Sequence, residues 1–231
     1  MEHGKNEWLV PLTGVATIVI AIIASLISGE PPDATDHSAR EIVDHYVDNK
    51  DSIELSAALS VVALTLFVFF GAYLRKVLSA AGAGDGPLPL IAFAGTVVFG
   101  VGIAIDNTIT FALAEAADDI DPTAVQALQA LWDNDFLPIL FGIVLLLIGA
   151  GLSVVRYGGL PKWLGWVAIV LAVAGATPIG FVAFLGGALW VLIVSVLLAV
   201  RARGASAPPA GPPAPASVSY THLTLPTTPY V

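Results

Sequence analysis

Apolar residues fall along this chain in blocks of about 20, and that length matches the roughly 30 Å hydrocarbon core of a bilayer at about 1.5 Å per helical residue. The blocks predict six helical spans, at about residues 9–27, 53–74, 88–113, 136–155, 162–177 and 179–200. The last two come from one stretch, Trp163 to Val200, whose 38 residues would measure about 57 Å as helix, close to twice the core. Pro178 marks the turn within it, because proline lacks a backbone donor and biases the residue before it away from helix. Gly82, Gly84, Gly86, Pro87 and Pro89 mark the turn between the second and third spans. A membrane barrel would show roughly ten-residue segments alternating apolar and polar, and no such alternation occurs. The expected fold is an all-α, polytopic membrane helix bundle.

The polar connections after the first and third spans each carry a short amphipathic pattern. Ser38 with Glu41 three residues later reads as a capping box, followed by an apolar stripe of Ile42, Val43, Tyr46 and Val47. Asp121 can cap a second helix with Pro122 at its first position and an apolar face of Val125, Leu128, Leu131 and Trp132. Both are too short to span, so they lie on the membrane surface or pack together as a lid.

With 57% hydrophobic and 12% charged residues, the composition is far from that of a soluble domain. Lys5, Arg75, Lys76, Arg156, Lys162, Arg201 and Arg203, seven of the nine basic residues, fall in segments that alternate onto one side of a six-span path. The positive-inside rule makes that side cytoplasmic, giving N-in and C-in. The two amphipathic connections hold Glu30, Asp33, Asp36, Glu41, Asp44, Asp48, Asp51 and Glu54 in the first and Glu115, Asp118, Asp119, Asp121, Asp133 and Asp135 in the second. They hold 14 of the 18 acidic residues and are expected outside.

The first span is read as retained rather than cleaved, because its apolar run is long for a signal peptide and only Lys5 precedes it. The expected organisation is a six-helix transmembrane domain over 1–200, a disordered Ala/Pro-rich cytoplasmic tail over 201–217, and an artefact over 218–231. Val218 to Thr228 (VSYTHLTLPTT) resembles translated sequencing-adapter read-through.

Three places resemble a family of uncharacterised bacterial integral membrane proteins, domain of unknown function 4386. They are the acidic segment Ser38 to Asp51 leading into a span, the helix end Leu74, Arg75, Lys76, and the loop Gly158 to Trp166 (GGLPKWLGW). The resemblance covers roughly residues 5–200. It implies a multi-pass fold in the bacterial plasma membrane and supplies no activity.

Asp106 is the acid that stands inside an apolar span, where a carboxylate costs about 2.5–3.5 kcal/mol on insertion scales. Asn107, Thr108 and Thr110 follow it, and Gly95 and Gly102 share its helix face, which lets that face approach another helix. Asp106, Asn107 and Thr110 are the candidate intramembrane polar site, able to bind a proton or pair with a cationic solute. The structural alternative is a water-filled notch near the outer end for Asp106, with Asn107 and Thr110 as interhelical glue.

His37, Glu41 and His45 have a spacing that can line one helix face for zinc, with Asp44 or Asp48 nearby. A capping role for Ser38 would instead leave His37 outside the helix and occupy Glu41, so no metal ligand is assigned. There is no cysteine, no H-E-x-x-H and no histidine inside a span, which removes thiolate, zincin and paired-histidine haem chemistry. Trp8, Trp132, Trp163 and Trp190 are read as interfacial anchors, and Gly186 and Gly187 as points of close helix packing.

No catalytic residue and no cofactor is expected. The leading expectation is a non-enzymatic membrane protein with a structural, sensory or assembly role and no nucleic-acid partner. Its partners would be the bilayer and a membrane protein or a second copy of itself. The rival is a small proton- or cation-coupled permease with Asp106 at its site.

Overall fold

The computed structural model describes residues 7–205, so Lys5, the tail from residue 206 and the stretch 218–231 lie outside the described residues. Among the described residues the regular structure is all helical: α1 Thr13–Ser28, α2 Ala39–Asp48, α3 Lys50–Leu78, α4 Pro87–Ala116, α5 Pro122–Trp132, α6 Phe136–Tyr157, α7 Lys162–Gly175 and α8 Phe181–Ala205. Four stretches are long and apolar enough to cross a membrane, Lys50–Ala83, Pro87–Ala116, Pro122–Tyr157 and Phe181–Gly204. Thr13–Ser28 and Lys162–Gly175 are apolar but shorter.

The chain runs back and forth between an acidic and a basic end. At the basic end the Arg203 guanidinium lies 3.8 Å above the Trp8 ring, and Arg201 donates to the Gly159 carbonyl at 2.6 Å. At the acidic end, just past α1, the Ala34 N–H donates to Asp133 at 3.0 Å. α1 therefore connects the two ends despite its 16 residues. α7 does the same, because α6 finishes beside Gly159 while Gly180, at the entrance to α8, packs on Leu140 near the start of α6. The turn after α3 follows the glycine reading: Gly82 has φ 115° and Gly84 φ 53°, backbone that L side chains rarely adopt, and Pro87 opens α4.

The tightest seam joins α4 and α6, which run antiparallel. A Cβ on Gly95 would strike the backbone of Leu146, one on Gly102 would lie 2.8 Å from the Ile139 nitrogen, and one on Gly149 would lie 2.6 Å from the Ala92 nitrogen. A Cβ on Gly142 would strike Phe99. Both helices carry glycines seven residues apart on the shared face, so each backbone sinks into the other. α6 and α7 repeat the arrangement, with Gly151 and Gly165 each facing the other's carbonyl. Thr17 of α1 donates across to the Ala63 carbonyl of α3 at 3.1 Å.

Around these seams lies the larger core, with Phe70, Leu74, Leu146, Leu147 and Leu164 essentially inaccessible. Trp190 belongs to it and is not an interfacial anchor: it is 1% exposed and donates its indole N–H to the Leu164 carbonyl at 3.0 Å. It sits near the middle of α8, against the backbone of α7. Gly186 and Gly187 do mark close packing, against Leu171 of α7 and Ile143 of α6.

Replacing Gly95 by Ala should destabilise the bundle by about 2 kcal/mol, because the new methyl meets backbone that cannot rotate away. Gly100→Ala, whose Cβ would meet only the Leu64 side chain at 4.0 Å, should be nearly neutral. Thermal unfolding in detergent micelles checks this, and equal midpoints for the two variants would remove the seam's special standing.

Candidate functional site

At the acidic end, α2 and α5 pack on each other and form a cap. α2 starts where its sequence says: the Ser38 hydroxyl accepts the Glu41 N–H at 3.4 Å and the Glu41 carboxylate accepts the Ser38 N–H at 2.8 Å. The Ser38 N–H, and its hydroxyl donating to the same oxygen at 2.9 Å, hold the Glu41 carboxyl below its ordinary range. Asp121 caps α5 by accepting the Thr123 N–H at 2.8 Å, with Pro122 first in the helix.

The cap has its own apolar core, in which Ile42 and Tyr46 of α2 and Val125 of α5 meet Ile53 of α3 and Leu113 and Ala114 of α4. The buried face of α5 is rotated from the sequence expectation. Val125 and Gln129 point inward, whereas Leu128 and Leu131 are exposed. Gln129 can be buried because its amide is satisfied: its Oε1 accepts the Tyr46 hydroxyl at 2.7 Å and its Nε2 donates to Asp133 at 2.9 Å. Asp133 also accepts the Ala34 N–H, and Gln126 donates to the Ala34 carbonyl at 2.9 Å. The segment leading into α2 is thus strapped to α5. Burial, with Asp133 and Asp106 nearby, pushes the Tyr46 phenol far above its ordinary range, so it remains a donor.

Asp106 lies beneath this cap, half-buried on α4. The glycine register that sets Gly102 against Ile139 brings Asp106 level with Asp135, immediately before α6. The Trp132 indole N–H is buried and faces Asp106 without reaching hydrogen-bond geometry, and Asp135 Oδ2 is likewise buried without a partner. Asp106 also lines a cavity of about 550 Å³ whose other walls include Ile103, Leu140, Thr177, Pro178 and Phe184. No Lys, Arg or His lines it.

The other two candidates do not join Asp106 there. Asn107 donates to the Ile103 carbonyl at 2.8 Å and Thr110 to the Asn107 carbonyl at 3.1 Å, both within α4. Trp132 and Asp135 are the neighbours that sequence reasoning did not assign to the site. The α6 glycines Gly142 and Gly149 carried the signal, because their spacing matches that of Gly95 and Gly102 and fixes the register.

His37, Glu41 and His45 are not drawn together as ligands. His37 precedes α2 with its ring 3.2 Å from the Asp33 carbonyl, Glu41 is committed to capping, and no metal-holding group of three such side chains occurs among the described residues. His45 Nε2 is buried without a partner. Burial lowers the His45 pKa below its ordinary 6.5, against a smaller opposing pull from Asp48.

No protein-family model, curated protein or solved structure matches this chain.

Two outcomes test the cap. His45 is held neutral in the folded cap, so the stability it contributes is present above pH 6.5 and lost as pH falls below that value. Amide exchange in α2 and α5, corrected for intrinsic rates, should quicken on acidification through that window and should do so less in His45→Gln. Tyr46→Phe strips the Gln129 carbonyl of its donor and should loosen the cap by about 1–3 kcal/mol. The same exchange measurement should show this in α2 and α5 while leaving the α6–α7 seam protected; uniform loosening would mean the two cores are one unit.

Proposed function

We propose that this chain is a non-enzymatic multi-pass protein of the bacterial plasma membrane that binds a small cationic solute at Asp106 beneath an external helical cap, in a sensory or carrier role. The carrying observation is that Asp106 lines a cavity whose other walls are apolar apart from Thr177 and include no basic side chain.

Magnitudes favour binding over packing alone. An intramembrane carboxylate costs about 2.5–3.5 kcal/mol. The positive end of α6 lies beside Asp106, but a helix dipole returns typically 0.3–1 kcal/mol and at best about 2. Asp135 adds a second carboxyl on the same side. Water or a cation in the cavity supplies the remaining compensation, and a cation does so while occupying space the apolar walls leave open. A purely structural or assembly role gives that space no use.

In this reading the chain crosses six times with both ends cytoplasmic. Support comes from α1 and α7, which link the acidic and basic ends although each is short. Their flanking residues, 9–12 before α1 and 176–180 after α7, lengthen the path. Six crossings also leave Arg75, Lys76, Arg156, Lys162, Arg201 and Arg203 on one side, as the positive-inside rule requires. The bacterial plasma membrane is the setting the family resemblance implies.

The chain has no native cysteine, so a single thiol reports cleanly. Reporter fusions at residues 36 and 119 should read external and a fusion after residue 205 cytoplasmic, and Asp106→Cys should react with an externally added ammonium thiosulfonate. External loops with an unreactive Cys at 106 would make Asp106 a buried pairing group and return the assembly role to the front.

A further inference from the structure

A second cavity of about 480 Å³ adjoins the first, and the two share Ile103 and Phe184. It is a groove between α1 and α8, lined by Ile18 and Ala21 on one side and Leu185 and Ala188 on the other, with Ala63 and Phe67 of α3 as its floor. Its shape follows from where the helices touch. α1 and α8 meet at the basic end, where Gly14 packs on the Ser195 side chain and Trp8 on Arg203, and they part toward the acidic end. Ile22 and Leu185, 55% and 62% exposed, stand at the lateral mouth of this wedge. From Phe184 to Val191 the groove descends about 10 Å at helical rise.

The two adjoining cavities carry a charged side chain at one end only. Asp106 stands at the acidic end beside the Thr177–Pro178 turn, and the rest is uncharged and mostly hydrocarbon, with Thr17, Ser25 and Ser60 as its hydroxyl-bearing residues. Neither lining contains a Lys, Arg or His. The two bases of the acidic end are engaged elsewhere, Lys50 with Glu115 at 3.2 Å and Arg40 with Asp44 at 3.7 Å. An anionic head would face Asp106, with Asp135 near that carboxyl, and meet no compensating charge. A neutral tail alone would leave the carboxyl unpaired.

We propose that the ligand is a cationic amphiphile, an ammonium head on a single alkyl chain, entering sideways from the outer leaflet with its head on Asp106 and its chain in the groove between α1 and α8. The assignment rests on the binding role of Asp106 argued above and specifies its ligand class. Charge complementarity selects the head, and the uncharged, mostly apolar groove beside it selects the chain.

Binding of radiolabelled dodecyltrimethylammonium to the full chain in nanodiscs, with empty nanodiscs subtracted, tests this. Binding should be saturable and should weaken by roughly thirtyfold or more in Asp106→Asn, with Asp106→Glu restoring most of it. Ala188→Leu, which fills the groove, should lower affinity by roughly tenfold and erase the advantage over tetramethylammonium. Dodecanoate should not compete. If tetramethylammonium binds as tightly and depends on Asp106 while Ala188→Leu has no effect on the long-chain probe, the small-cation site stands and the amphiphile assignment falls. If Asp106→Asn alters binding of neither cation, both fall; equal competition by dodecanoate overturns the charge argument.

Discussion

Gly95 and Gly102 on α4, with Gly142 and Gly149 on α6, bring two helix backbones to a separation that no side chain could share. Inside a bilayer there is little hydrophobic drive between helices, since lipid is as apolar as leucine, and association depends on close contact and small residues. The four glycines therefore fix the α4–α6 register as well as its spacing. That register brings Asp106 level with Asp135 and the start of α6, so the polar site is a consequence of the glycine seam. α3 and α7 then pack on the outer sides of this pair, and α8 closes against α6 and α7.

The molecule carries two cores with a polar layer between them. The larger is built from α3, α4, α6, α7 and α8, and the smaller joins the two amphipathic helices to the protruding ends of α3 and α4. Between them lie Trp132, Asp135 and Asp106, while Tyr46, Gln129 and Asp133 belong to the cap. Tyr46, Gln129 and Asp133 satisfy one another in a hydrogen-bonded chain, whereas Trp132 Nε1 and Asp135 Oδ2 find no partner. A satisfied network rigidifies the cap; the unsatisfied groups mark where a bound molecule or water has something to contribute.

Local signals in the sequence were legible because each depends on a few neighbouring residues. Ser38 with Glu41, Asp121 with Pro122, and the glycines before Pro87 gave helix starts and a turn that the structure contains. The apolar blocks gave the helices within a few residues, although α1 begins at Thr13, α7 ends at Gly175, and α8 continues to Ala205 into the expected tail. What needed long-range contact was harder to see. The inward face of α5 could not be read from hydrophobicity, because Gln129 is buried by virtue of a partner 83 positions away. Trp190 looked like an anchor until α7 supplied the carbonyl it bonds. Asp106 stood out by being an acid among apolar residues, but Asp135 looked like one more loop acid until the α6 glycines set it opposite.

Disulfide trapping of the α4–α6 register tests the central claim most directly. A Cβ at position 142 would lie 2.8 Å from that of Phe99, within reach of a disulfide after slight relaxation. Phe99→Cys with Gly142→Cys should therefore crosslink in native membranes. Phe99→Cys with Gly149→Cys, about 10 Å out of register, should not. Crosslinking of the second pair in preference to the first would move Asp106 away from Asp135 and the cap, and the site described here would not exist.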